Sequence, residues 1–250
     1  LDNSGAFGIV FNAQYSSTTN YVDGPRFQSD DVLNMQFSGT TAGQLITNAT
    51  FKDPNAWFHM VIGVDTTQST ASNRVKIYVN GERITEFEDN STHNHPPNQD
   101  YDTAMSVSGK GLAFGRAYPF GGSATYADMQ MSQLYLIDGQ QLEPTSFGYT
   151  ESQSGIWRPK KYTGTFGTTG FYFPLDGSQH ISRDLSGNGN NFTPYNMRCT
   201  VPLHMATGGL PILNTNKGGT VARPGVRPDP FASNIVLALP LSNRGNGIGF

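Results

Sequence analysis

In Asp184-Leu185-Ser186-Gly187-Asn188-Gly189-Asn190, side chains bearing oxygen recur at every second position, with glycine at the sixth. A hard cation such as Ca²⁺ takes oxygen ligands from a tight loop of this kind. Asp184, Ser186 and Asn188 are therefore the candidate ligands of a structural calcium. Only one carboxylate is present, and Tyr195 stands at the twelfth position, where a helix–loop–helix site places a bidentate glutamate. An ordinary Asn/Gly turn is the simpler reading. A second run, Trp157-Arg158-Pro159-Lys160-Lys161-Tyr162, mixes aromatic faces with cations. Trp157, Arg158, Lys160 and Tyr162 could stack on a sugar ring or a neighbouring chain. Read more plainly, they are an apolar anchor with a solvated basic rim.

Other reactive side chains are less organised. Glycoside hydrolysis needs two carboxylates about 5 to 9 Å apart, and Glu86, Glu88 and Asp89 come nearest, where a strand gives way to a polar loop. His93-x-His95 offers two imidazoles but runs into Pro96-Pro97, with no third ligand beside it. His59 falls within an apolar strand and reads as a satisfied histidine. Cys199 is the single cysteine, so it forms no internal disulfide, and no base is near it in sequence. No Gly-rich loop leads from a strand into a helix to cradle phosphate. No catalytic residue and no required cofactor are expected, and the chain does not read as an enzyme.

The elements that would position these residues are strands. Twenty-nine glycines and fifteen prolines in 250 residues imply many turns and few long helices. Aromatic residues at 12% are too frequent for a disordered chain. The net charge of −3 and a pI near 5.9 give no basic field for nucleic acid or an anionic membrane. No run of about 18 apolar residues could cross a bilayer as a helix. The chain starts at Leu1 with no signal peptide after it, and is expected to begin inside a longer polypeptide or to have been trimmed.

Apolar residues recur with period two, the mark of half-buried strands. Leu33, Met35 and Phe37 share one face of 32–37. Val75, Ile77 and Val79 share one face of 74–79. Asn80-Gly81 then predicts a type I′ turn into a returning strand over 82–87. The stretch 57–64 is apolar on both faces and reads as a central strand. Further strands are predicted over 6–12, 112–115, 129–137 and 171–174, with one short helical turn near 143–147. Antiparallel strands with hairpins point to an all-β sandwich or jelly roll.

Three regions follow: a sandwich over 1–177, a Gly/Pro/Asn-rich arm or linker over 178–230, and an orphan strand within 231–250 that would open another sandwich. Such a strand, Asn234 to Leu241, is stable only against something else. The arm and strand together suggest a homo-oligomer.

Several segments carry a resemblance. Trp57-Phe58-His59-Met60-Val61, followed by Arg74-Val75-Lys76-Ile77-Tyr78-Val79-Asn80-Gly81, resembles the central signature of laminin-G-like, concanavalin A-like sandwiches. Ala113-Phe114-Gly115-Arg116 and Met131 to Gly139 are similar to the closing strands of that fold. The stretches 65–74, 137–148, 157–167 and 184–191 resemble lectin-like virion proteins of marine bacteriophages, over roughly Val32 to Pro194. The resemblance implies an antiparallel jelly-roll sandwich with an extended C-terminal arm, in a tail-fibre, appendage or capsid-associated protein. Its implied partners are copies of itself and other virion proteins, its place the virion, and its alternative role the binding of host surface polysaccharide. The family brings no catalytic residues. Its members commonly begin with an earlier Trp-containing strand, so a strand is expected to be missing here or supplied by another chain. A glycoside hydrolase on the same fold is the least favoured reading.

Overall fold

In the computed structural model, residues 8–14, 22–37, 43–53, 56–88, 95–105, 111–115, 129–176 and 179–193 are described. The proposed arm beyond 193, Cys199, the orphan strand, His93 and Asp89 lie outside them. The described strands, in chain order, are β1 (Gly8–Ile9), β2 (Phe11–Gln14), β3 (Val22–Phe27), β4 (Val32–Phe37), β5 (Gly43–Thr50), β6 (Met60–Val64), β7 (Val75–Val79), β8 (Glu82–Ile84), β9 (Leu112–Phe114), β10 (Leu134–Leu136), β11 (Gly148–Thr150), β12 (Trp157–Pro159) and β13 (Phe171–Phe173). Among the described residues, helix is confined to two 3-10 turns, Ala71–Asn73 and Pro144–Ser146. Every described strand pair is antiparallel. The chain is all-β.

Two units divide it: 1–130 with 137–169, and 131–136 with 170–250. In the first, one sheet runs β5-β4-β3-β2-β9, with β1 also on β3, and another runs β6-β7-β8. Their apolar faces meet in one core, where Phe27, Leu33, Met35, Phe37 and Leu45 of the larger sheet join Val75, Ile77 and Tyr101. That is the arrangement of a β-sandwich. Leu33, Met35 and Phe37 lie inward as their alternation predicted. The expected type I′ turn is present, with φ of 50° at Asn80 and 85° at Gly81.

Several strands differ from the reading of the sequence: β3, β5, β11 and β12 were not predicted, and the returning strand expected over 82–87 is regular only over β8. Among the described residues β6 is the edge of its sheet and only half-buried, while β7 is central. Trp57, expected in that strand, lies before it and is 65% exposed. β3 was not foreseen because it contains Gly24-Pro25, and proline removes a ladder donor. A bulge accommodates it: β1 and β2 pair β3 on either side of Val10, whose N–H donates to Pro25 O at 3.2 Å. Gly24 is required here, because a Cβ would lie 2.3 Å from Phe11 O.

Loops are fastened by polar side chains. Asp23 is fully buried and accepts hydrogen bonds from Ala104 N (2.7 Å) and Tyr101 Oη (3.1 Å), joining β3 to the 95–105 segment. Arg74 donates to the carbonyls of Gln68 (2.8 Å), Ser69 (3.1 Å) and Pro97 (3.0 Å). Asp138 accepts from Thr168 N and Thr169 N, both at 3.2 Å. Glu143 accepts from Tyr78 Oη (2.5 Å) and Lys76 Nζ (3.1 Å). Burial, followed by the bond to Glu143, pushes the Tyr78 phenol up to about 12.

In the second unit β10 pairs with β13, and Tyr135 stacks on its cross-strand partner Tyr172 at 4.4 Å. Phe192 packs edge-on against Phe171 and Phe173. The residues just past 177 were expected to open an extended arm. Those of 179–193 instead fold onto β13.

Candidate functional site

The Trp157–Tyr162 run is split by the register of one hairpin. β11 pairs with β12 as Gly148↔Pro159, Tyr149↔Arg158 and Thr150↔Trp157, and Glu151 N continues the ladder to Ile156 O at 2.9 Å. Alternation puts Trp157 on one face and Tyr149, Glu151, Ile156 and Arg158 on the other.

The inner face is an anchor. The Trp157 indole stacks on His59, with ring centroids 6.0 Å apart, and its Nε1–H donates to His59 Nδ1 at 3.0 Å. Two glycines make room for it. A Cβ on Gly148 would fall 2.3 Å from Trp157 Cζ2, and one on Gly81 would fall 2.4 Å from Cε3. His59 is itself held from the β7–β8 turn: its N–H donates to Asn80 Oδ1 and its carbonyl accepts from Asn80 N, both at 2.8 Å.

Burial lowers the pKa of His59, keeping the imidazole neutral so that Nδ1 can accept. The native state therefore binds the proton less readily than the unfolded chain, whose histidine titrates near ~6.5. The contribution of His59 is full above that value and is lost as pH falls towards the depressed native pKa. Urea unfolding between pH 7 and 4.5 should show this decline, and His59→Gln should remove part of it. An unchanged pH slope would mean that the imidazole is not the titrating group.

Tyr162 also lies inward. It is 8% exposed, packs against Phe147 (5.1 Å) and edge-on to Phe166 (5.4 Å), and donates its hydroxyl to Thr165 O at 3.0 Å. Of the four candidate contacts, Trp157 and Tyr162 thus face the protein, because their rings fill space between segments of the first unit. Arg158 and Lys160 remain exposed. The outer face adds residues that sequence reasoning missed: Tyr149 is 49% and Ile156 53% exposed. Strands of three residues are too short for alternation to show their facing.

The Asp184 loop is closed by its own groups. Asp184 Oδ1 accepts from Tyr172 N (2.9 Å) and Ser186 N (2.8 Å), and Oδ2 accepts from Ser186 Oγ (2.8 Å) and Asn190 N (2.9 Å). Asn188 and Asn190 both turn their Nδ2 donors to Gly170 O at 2.9 Å. Burial pushes the Asp184 pKa up, but these hydrogen bonds together outweigh it and hold the carboxyl below its usual range. Asp184, Ser186 and Asn188 do not fit a calcium ion in this geometry. The carboxylate is saturated by N–H and O–H donors, and the amide of Asn188 points the wrong end inward. Millimolar calcium should leave the melting temperature unchanged; a rise would show that the loop rearranges around the ion. A shallow depression lies here, lined by Ser182, Arg183, Asp184, Gly187, Gly189 and Asn191.

His95 is exposed and bridges to Gln44 through its backbone. Glu86 and Glu88 are exposed beside the Thr47↔Phe87 bridge, where Glu88 N donates to Ile46 O and Glu86 O accepts from Asn48 N. Among the described residues no three His, Cys, Asp or Glu side chains gather into a ligand set. No described helix is long and apolar enough to cross a membrane. The chain matches no protein-family model, no curated protein and no solved structure.

Proposed function

We propose that the chain is a non-enzymatic structural module of a bacteriophage virion, in a tail fibre, an appendage or a capsid-associated position. In this reading it is a jelly-roll sandwich of the concanavalin A-like, laminin-G-like kind that assembles with copies of itself or with other virion proteins. The observation that carries the reading is the use made of its acidic side chains. Asp23, Asp138 and Asp184 each accept hydrogen bonds from backbone N–H groups of loops, and Asp184 also accepts from Tyr172 N of β13. Glu143 ties a loop to β7. Carboxylates committed in this way stiffen loops, as a particle component requires. The resemblance over Val32 to Pro194 points the same way.

Light scattering on the purified chain, with immunogold labelling of phage particles, tests the proposal. A defined oligomer and labelled particles are expected. A monomer at tens of micromolar with unlabelled particles would overturn it, as would release of reducing ends from polysaccharides. A second reading, binding of host surface polysaccharide, is favoured by the exposed outer face of the β11–β12 hairpin.

A further inference from the structure

We infer that the outer face of the β11–β12 hairpin is a docking surface for an acidic polysaccharide, one bearing carboxylate or sulfate groups on its sugar rings. The inference rests on the second reading above and gives it a site and a ligand class.

Three observations combine. The first is charge. Arg158 and Lys160 alternate onto the outer face, with Lys161 next in the chain, and all three are exposed in a protein of net charge −3. Glu151 is the one acid on the same face, and it pairs with Arg158 at 3.3 Å, where both side chains are open to solvent. An exposed pair of this kind is worth little, so a ligand carboxylate or sulfate can replace Glu151 at the guanidinium at small cost.

The second is the aromatic beside the cations. Tyr149 sits directly opposite Arg158 in the register and is 49% exposed, with Ile156 on the diagonal at 53%. A sugar ring laid with its C–H face on the tyrosine would carry its acidic substituent to the guanidinium.

The third is rigidity. Trp157 bolts the hairpin down from behind through His59. The tip is closed by Gly155 N to Glu151 O (2.8 Å) and Ser154 Oγ to Glu151 Oε2 (2.5 Å), and the base by Lys160 N to Phe147 O (2.7 Å). A face already fixed costs little ordering on binding.

The size selects the partner. Three residues on each of two strands cover roughly 10 by 10 Å, room for one or two sugar rings. A stable protein interface buries about 800 Å² per partner, so an acidic peptide gains little here beyond charge. Binding per site is weak, and repetition of the module in an assembly would supply avidity.

Affinity electrophoresis of the full chain tests this, in gels holding alginate (a polyuronate), carrageenan (a sulfated galactan), neutral laminarin or polyglutamate. Retardation is expected in alginate or carrageenan, the two distinguishing carboxylate from sulfate. It should weaken at least five-fold in Tyr149→Ala and in Arg158→Ala/Lys160→Ala, and also with added salt. Circular dichroism and melting curves confirm that the variants fold; a variant that does not is replaced by Tyr149→Ser or Arg158→Gln. Equal retardation by polyglutamate, or none lost in Tyr149→Ala, would reduce the surface to bare charge and overturn the inference. Retention in a glycan gel that none of these variants weakens would sink this face while keeping the binding reading. No retention in any gel would sink both.

Discussion

Replacing Trp157 by alanine should lower the unfolding free energy of the first unit by about 3–5 kcal/mol, the range for truncating a packed aromatic. The indole fills the space left by two glycines and donates to His59 Nδ1. Its loss opens a cavity and leaves a half-buried imidazole without its donor. Phenylalanine should recover part of the packing and none of the hydrogen bond. Urea denaturation followed by circular dichroism measures the difference. A loss below about 1 kcal/mol would mean that the hairpin is held by its ladder rather than by the indole. With Trp157 gone, the pH dependence attributed to His59 should shrink too, since the depressed pKa comes from burial that the indole helps provide.

The second large effect is expected at Asp23. Alanine there should cost about 3 kcal/mol, because Ala104 N–H and Tyr101 O–H are left buried without that acceptor, at about 1–3 kcal/mol for each such group. Asparagine keeps one acceptor oxygen and should cost less. Hydrogen exchange at Ala104 is the local readout. Protection lost in Asp23→Ala and retained in Asp23→Asn is the expected pattern; protection unchanged in both would show that something other than this carboxylate pins the 95–105 segment.

How much of this was legible depended on strand length and on what interrupts a strand. β4 and the β7–β8 hairpin were readable because Leu33, Met35, Phe37 and Val75, Ile77, Val79 alternate over enough residues, and because Asn80-Gly81 admits few other turns. β3 was hidden by Gly24-Pro25, whose place in the sheet depends on a bulge contributed by another part of the chain. The pairing of β10 with β13 was hidden by distance along the chain, and with it the second unit. At the Asp184 loop, composition marked the oxygen-bearing side chains correctly. Composition cannot say which end of an amide points inward, and that detail separates a cation cage from a loop closed by its own backbone. At the hairpin, Arg158 and Lys160 were recognised as surface cations, but Tyr149 was missed. Its exposure follows from facing Arg158 across a ladder of only three pairs.

The bond between Trp157 and His59 joins residues 98 positions apart, and this bears on how the protein is made. Contacts of such separation close late, since the loop entropy must be met before they form. During synthesis at about 5–20 residues per second, the strands through β9 emerge while the indole that locks the β7–β8 turn is still unmade. For several seconds the nascent chain holds an open slot at Gly81, beside an uncapped edge strand. Translational pausing well past residue 157, once the indole has left the ribosome, would favour correct closure, whereas truncation before it should leave a chain that chaperones retain.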